Sequence, residues 1–110
     1  MDTLQQLNAT LTRRKLEDPS VSYVASLYKS GVNKIAQKVG EEATEVVIAA
    51  KDAASDAKLK PALVGEVADL WFHSLVLLNH LDLSVDEVLK ELQNRIGVSG
   101  HTEKANRPSA

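Results

Sequence analysis

No cysteine occurs among the 110 residues, which excludes a disulfide framework, a thiolate nucleophile and a cysteine-ligated zinc. Only four aromatic residues are present, Tyr23, Tyr28, Trp71 and Phe72. They form no stripe, so a stacking platform for nucleic-acid bases is missing. The excess of positive charge that non-specific nucleic-acid binding requires is missing too, because the formal net charge is -2. Nucleic acid is therefore not an expected partner. Unbroken apolar runs stop well short of the roughly 18 residues of a membrane span, and the N-terminus lacks a signal-peptide pattern. The expectation is a cytoplasmic protein without a membrane partner. Gly31 and Gly40 lack both the spacing and the preceding strand of a phosphate-cradling loop.

What remains is ordinary in amount, with 44% hydrophobic and 25% charged residues, enough for one modest globular core. Apolar residues recur at helical spacing along most of the chain and no strand pattern stands out. Leu4, Leu7 and Leu11 mark a first helix from about Thr3 to Leu16, capped by Asp2 or Thr3 and broken by Pro19. A short helix from Tyr23 to Ser30 ends at Gly31. Two long helices follow, from about Val32 to Ala53 and from Lys60 to Leu81, the second with Pro61 in its first turn. A last helix starts at Ser84, where Ser84 and Glu87 form a capping box, and runs to about Ile96. The predicted fold is all-α, a bundle of four to five helices over residues 1–96 with a polar tail over 97–110. From Leu70 to Leu78 the chain is apolar almost all round. One chain of this size has too little material to cover that segment on every side, so a homodimer that completes the bundle is expected.

The chemistry is concentrated in five acids, Glu41, Glu42 and Glu45 on one long helix and Glu66 and Asp69 on the next. The expected buried stripe of the first long helix is Ile35, Val39, Ala43, Val46 and Ala50, with Glu42 inside it and Lys38 and Glu45 on its flank. On the second it is Leu63, Val67, Leu70, Ser74, Leu77 and Leu81, flanked by Glu66, Asp69 and His73. Single acids of this kind are commonly part of a solvated helix face. The set is not explained that way, because like charges packed beside an apolar stripe repel one another and are costly to desolvate without a cation. If the helices pair antiparallel, the acidic edges converge on one cleft. An all-oxygen ligand set suits magnesium or manganese rather than zinc. His73 reads as a core-edge residue, and His80 and His101 share no metal-binding pattern with it.

The segment Ser22-Tyr23-Val24, then Leu27, then Gly31-x-x-Lys34-Ile35-x-x-Lys38-x-Gly40-Glu41-Glu42-Ala43-x-Glu45, followed by Glu66-x-x-Asp69-Leu70, resembles the phosphoribosyl-ATP pyrophosphatases of histidine biosynthesis. The two acidic motifs alone are shared with the wider MazG-like group of all-α nucleotide pyrophosphohydrolases. The narrower resemblance rests on the flanks, including Glu103-Lys104-Ala105-x-Arg107-Pro108-Ser109 near the end of the chain. It implies hydrolysis of 1-(5-phosphoribosyl)-ATP to 1-(5-phosphoribosyl)-AMP and pyrophosphate, with magnesium, or manganese, as cofactor. It also implies metal ligation by Glu42, Glu45, Glu66 and Asp69, with Glu41 orienting water, acting as base or binding a second ion. Lys34 and Lys38 are the candidates for the substrate phosphates, and Lys104 and Arg107 for closing over the phosphoribosyl group. A housekeeping MazG-like enzyme acting on ordinary nucleoside triphosphates is the alternative, and a helical adaptor binding a basic partner is the more distant one.

Overall fold

A computed structural model describes residues 2–96. Among them are five α-helices, two short 3-10 turns and no strand, so the chain is all-α. Helix α1 spans Thr3–Arg13 and runs into a 3-10 turn at Arg14–Leu16; α2 spans Tyr23–Ser30 and α3 Val32–Ser55. A second 3-10 turn, Ala57–Leu59, leads into α4 at Lys60–His80, and α5 occupies Val85–Arg95.

The helix ends follow from local chemistry. Asp2 caps α1 through a reciprocal pair: its Oδ1 accepts the Gln5 amide at 2.8 Å, and Gln5 Oε1 accepts the Asp2 amide at 3.1 Å. Ser22 Oγ accepts the Ala25 amide at 3.1 Å to start α2. Ser84 and Glu87 form the box that starts α5. Each such cap stabilises its helix by about 1 kcal/mol. Between α2 and α3 the chain turns at Gly31 with φ +94°, a value that a side chain would strain. That one residue lets α3 begin immediately after α2 ends.

The core lies at one end of the molecule. Leu11, Val24, Leu27, Ile35, Leu75, Val76 and Val85 are buried together there, where the start of α3 and the end of α4 meet α1, α2 and α5. Away from it, the second half of α3 and the first half of α4 continue as an antiparallel two-helix arm joined by the Ala57–Leu59 turn. Ala53 is the one buried residue of the arm's apolar positions, while Val47, Ile48, Leu59 and Val64 are exposed.

This arrangement changes the expected stripes. On α3, Ile35 is fully buried as expected, but Val39, Ala43 and Val46 are half-buried and Ala50 is exposed. On α4, Leu63, Val67, Leu70, Ser74 and Leu77 are half-buried and Leu81 is exposed; the buried positions are His73, Leu75, Val76 and Asn79. The reason is that α4 is apolar on most of its circumference, so periodicity does not choose a face. Third-layer packing chooses it, and that layer exists only at the core end. Trp71 is 56% exposed, whereas Phe72 packs against the core.

Two buried polar side chains complete the core because each finds partners. Asn79 Nδ2 donates to Leu75 O at 2.9 Å and to Asn8 Oδ1 at 3.1 Å, and its Oδ1 accepts the Thr12 hydroxyl at 2.8 Å. Asn8 Oδ1 also accepts the Val85 amide at 3.1 Å. The Asn8–Asn79 pair thus ties α1, α4 and α5 together. His73 is the other, and it belongs to the site described next. The segment Ala57–His80 is long and apolar enough to cross a membrane by length and composition. Its middle carries Glu66 and Asp69, which are very costly in a bilayer, and it packs against α3.

Candidate active site

The acids meet where the arm joins the core end. Glu42 lies on α3 one turn before Glu45, and Glu66 faces them from α4; one carboxylate oxygen from each lies within 4.8 Å of the others. Helix α3 places Glu42 on its buried side because Glu42 is seven residues, two turns, beyond Ile35. Its residue exposure is only 7%. Two of these residues carry a buried oxygen, Glu42 Oε2 and Glu66 Oε2, that receives no hydrogen bond. A buried carboxylate oxygen without a donor is costly, and two such carboxylates converging with a third acid offer the donor set that a hard divalent cation takes. The residues present fit magnesium or manganese.

Electrostatics point the same way. The Glu66 carboxyl is held above the ordinary glutamate range, first by the close approach of the Glu45 carboxyl. Burial and the negative charges of Glu45, Asp69 and Glu42 add to this.

Around the cluster stand the groups that orient it. Lys38 Nζ lies 3.2 Å from Glu41 Oε2 and 3.8 Å from Glu42 Oε1. Its ammonium is held above the ordinary lysine range, chiefly by the Glu41 hydrogen bond. His73 Nδ1 faces the Asp69 carbonyl at 2.8 Å; a carbonyl only accepts, so Nδ1 carries the hydrogen and Nε2 accepts the Tyr23 hydroxyl at 2.9 Å. The same Nδ1 is 4.0 Å from Glu42 Oε1. His73 therefore packs as a bonded core-edge residue against the wall of the site.

The remaining candidates are placed as follows. Glu41 is on the solvent side of α3, where its Oε1 accepts from Gln37 Nε2 at 2.9 Å and its Oε2 from Lys38. These two donors, Gln37 first, hold its carboxyl below the ordinary glutamate range. It is outside the converging trio. Asp69 follows Glu66 by three residues on α4 and its charge is felt by Glu66, although its own oxygens are not within the trio's radius. Lys34 is exposed one turn before Lys38 and close enough to act on Glu41. Lys104 and Arg107 lie outside the described residues.

Beside the trio, on the arm, is a cavity of about 240 Å³ lined by Glu45, Ile48, Ala49, Asp52, Leu59, Ala62 and Glu66. Sequence reasoning missed Asp52 and the Tyr23–His73 contact. Asp52 continues the Glu45 face of α3 at a spacing of seven, a signal that could have been read. The Tyr23–His73 contact spans 50 positions and leaves no such trace.

With this geometry established, comparison with known proteins is decisive. The sequence profile described as "Phosphoribosyl-ATP pyrophosphohydrolase" matches residues 4–96. The chain belongs to the phosphoribosyl-ATP pyrophosphohydrolase family. It is similar to the "Phosphoribosyl-ATP pyrophosphatase" of Hydrogenovibrio crunogenus (strain DSM 25203 / XCL-2), with 58% identity over 106 residues, covering 96% of this chain and 93% of that relative. The family match takes in all five helices and every acid of the site.

Proposed function

We propose that the chain hydrolyses 1-(5-phosphoribosyl)-ATP to 1-(5-phosphoribosyl)-AMP and pyrophosphate, the second step of histidine biosynthesis, in a magnesium-dependent reaction. The observation that carries the metal dependence is the pair of carboxylates with an unpartnered buried oxygen, Glu42 and Glu66, converging with Glu45. Glu42, Glu45 and Glu66 would hold the ion, with Asp69 joining from the next turn of α4. When bound, magnesium offsets the charge of the triphosphate and lowers the pKa of a water molecule.

The chain's own groups do the rest. Lys38, already anchored by Glu41 and Glu42, sits one turn from Lys34, and both ammonium groups attract the triphosphate to the acidic cleft. The His73 imidazole holds Tyr23 against the wall and limits access of bulk water from the core side. Glu41, exposed and hydrogen-bonded to Gln37 and Lys38, would act on a water that approaches from the solvent side of the cleft, orienting it or accepting its proton. Positioning and charge stabilisation supply most of the rate in phosphoryl chemistry. We read the protein as cytoplasmic and as a homodimer. The exposed Val47 and Val64 of the arm and the open apolar groove lined by Leu4, Trp71, Leu78, Val88 and Leu92 support the second reading.

The test is pyrophosphate release from phosphoribosyl-ATP with and without magnesium, against ATP and dCTP. Magnesium-dependent turnover of phosphoribosyl-ATP alone is expected; turnover confined to ATP or dCTP would sink the assignment. A light-scattering mass equal to one chain at micromolar concentration would remove the dimer.

A further inference from the structure

Asp52 lies in the last turn of α3 (Val32–Ser55), four residues before the C-cap Asp56. A negative charge is disfavoured at a helix C-terminus by the macrodipole, so its presence there is not explained by helix stability. It lines the cavity beside the acidic trio together with Ile48, Ala49, Leu59 and Ala62. Ile48 and Leu59 are both exposed. The cavity lining thus combines apolar side chains with three carboxylates, Asp52 lying two turns beyond Glu45 along α3. Small-ligand subsites have this composition, mostly apolar with a few polar groups that fix orientation.

The proposed substrate supplies what fits. Its triphosphate belongs at the acidic trio with the cation, and the nucleoside must extend away from it. Asp52 is seven residues beyond Glu45, an axial distance of about 10 Å, comparable with the reach from the first phosphate across a ribose to the base. The base itself is unusual. A substituent on N1 of adenine turns N1, C6 and N6 into an amidinium, which carries a positive charge and N–H donors at neutral pH. Adenine in ATP keeps the N6 amino donors but is neutral, so the charge is what distinguishes the two.

We infer that Asp52 is a specificity residue that recognises the cationic N1-substituted adenine of phosphoribosyl-ATP in the Ile48–Leu59 cavity and discriminates against unmodified adenine nucleotides. This rests on the proposed reaction and deepens it. The flat ring lies against the apolar side chains, and its amidinium donates to the Asp52 carboxylate in a charge-assisted hydrogen bond. Ordinary adenine offers the carboxylate only a neutral N6–H donor, so the charge-assisted part of the bond is lost.

The experiment uses the intact chain and Asp52→Asn. Titration calorimetry measures binding of 1-methyladenosine 5′-monophosphate, whose ring carries the same cation, against AMP. Wild type is expected to prefer the methylated nucleotide by about tenfold to a hundredfold, and Asp52→Asn to bind the two alike. In turnover of phosphoribosyl-ATP, Asp52→Asn should raise KM by about the same factor with kcat kept, and Asp52→Glu should recover part of the loss. Equal binding of the two nucleotides by wild type, or an unchanged preference in Asp52→Asn, overturns the inference. Failure of the wild type to hydrolyse phosphoribosyl-ATP would instead count against the proposed reaction, and the calorimetric preference would still decide the role of Asp52. Circular dichroism is expected to show an unaltered fold, since Asp52 is exposed near a helix end.

Discussion

Replacing Glu42 by glutamine should make the metal-free protein more stable and the enzyme inactive. Glu42 is 93% buried by residue exposure, its Oε2 receives no hydrogen bond, and its Oε1 has Lys38 Nζ only at 3.8 Å. A buried acceptor left without a donor costs about 1–3 kcal/mol, and an ionised one more. The glutamine amide has nearly the same shape, removes the charge, and turns one oxygen into a donor facing the Glu45 and Glu66 carboxylates. The expected gain in EDTA is about 1–3 kcal/mol, or roughly 4–12 °C in Tm for a domain of this size. In magnesium the order reverses. Wild type gains about 4.1 kcal/mol at a thousand times its dissociation constant, whereas the variant, short of a ligand, gains little. Differential scanning fluorimetry of both proteins in EDTA and in a magnesium series reads the crossing directly. If Glu42→Gln melts lower than wild type in EDTA, the carboxylate is satisfied in the metal-free fold and the reasoning from its unpartnered oxygen fails.

Three other outcomes follow from the same structure. Asn79→Ala should cost about 2–4 kcal/mol in urea unfolding, because it leaves the Thr12 hydroxyl, Asn8 Oδ1 and the Leu75 carbonyl short of a partner in a buried corner; a loss below about 1 kcal/mol would show that water replaces the amide. Burial pushes the Tyr28 phenol up to about 12 while its hydroxyl donates to the Leu11 carbonyl at 2.9 Å. Its folded pKa is raised above the unfolded value, so the contribution it makes to stability is fully present below about pH 10 and is lost as pH rises toward the folded value; ultraviolet titration of the Tyr23→Phe variant should show a single late phenolate. Lys34→Ala should raise KM for phosphoribosyl-ATP about tenfold, one charge-assisted contact, with helicity unchanged; unaltered kinetics would make Lys34 a counter-charge to Glu41 only.

The parts of the fold that were legible in the sequence are those set by local chemistry. Asp2, Ser84 with Glu87, Pro61 and Gly31 each act within a turn of their own position, and each marks an observed helix end. The convergence of Glu42, Glu45 and Glu66 was legible for a related reason: once α3 and α4 are joined by so short a turn, antiparallel pairing is nearly forced. The stripe of α4 was not legible. Leucines surround that helix, and what distinguishes His73 and Asn79 from Ser74 or Leu77 is the identity of partners on α1 and α2, 50 and 71 positions away. Glu41 and Glu42 are adjacent in sequence and equal in chemistry, yet one is paired in solvent and the other buried. The 100° step between helix neighbours separates them, and only the packing of α4 says which one is turned inward.

The partners of α1 also set an order of events during synthesis. Gln5 donates to Asp86, Asn8 accepts from Val85, and Thr12 bonds Asn79, across 81, 77 and 67 positions respectively. A ribosome adding about 5–20 residues per second needs roughly 4–16 s to make the stretch between Gln5 and Asp86. Within that interval the first helix to leave the tunnel can dock on α2, through Leu11 and Tyr28, and later on α4, but it lacks its α5 partners. The nascent chain can join α3 to α4 as a hairpin early, whereas the bonds of its first segment to Val85 and Asp86 close only when almost the last segment is made.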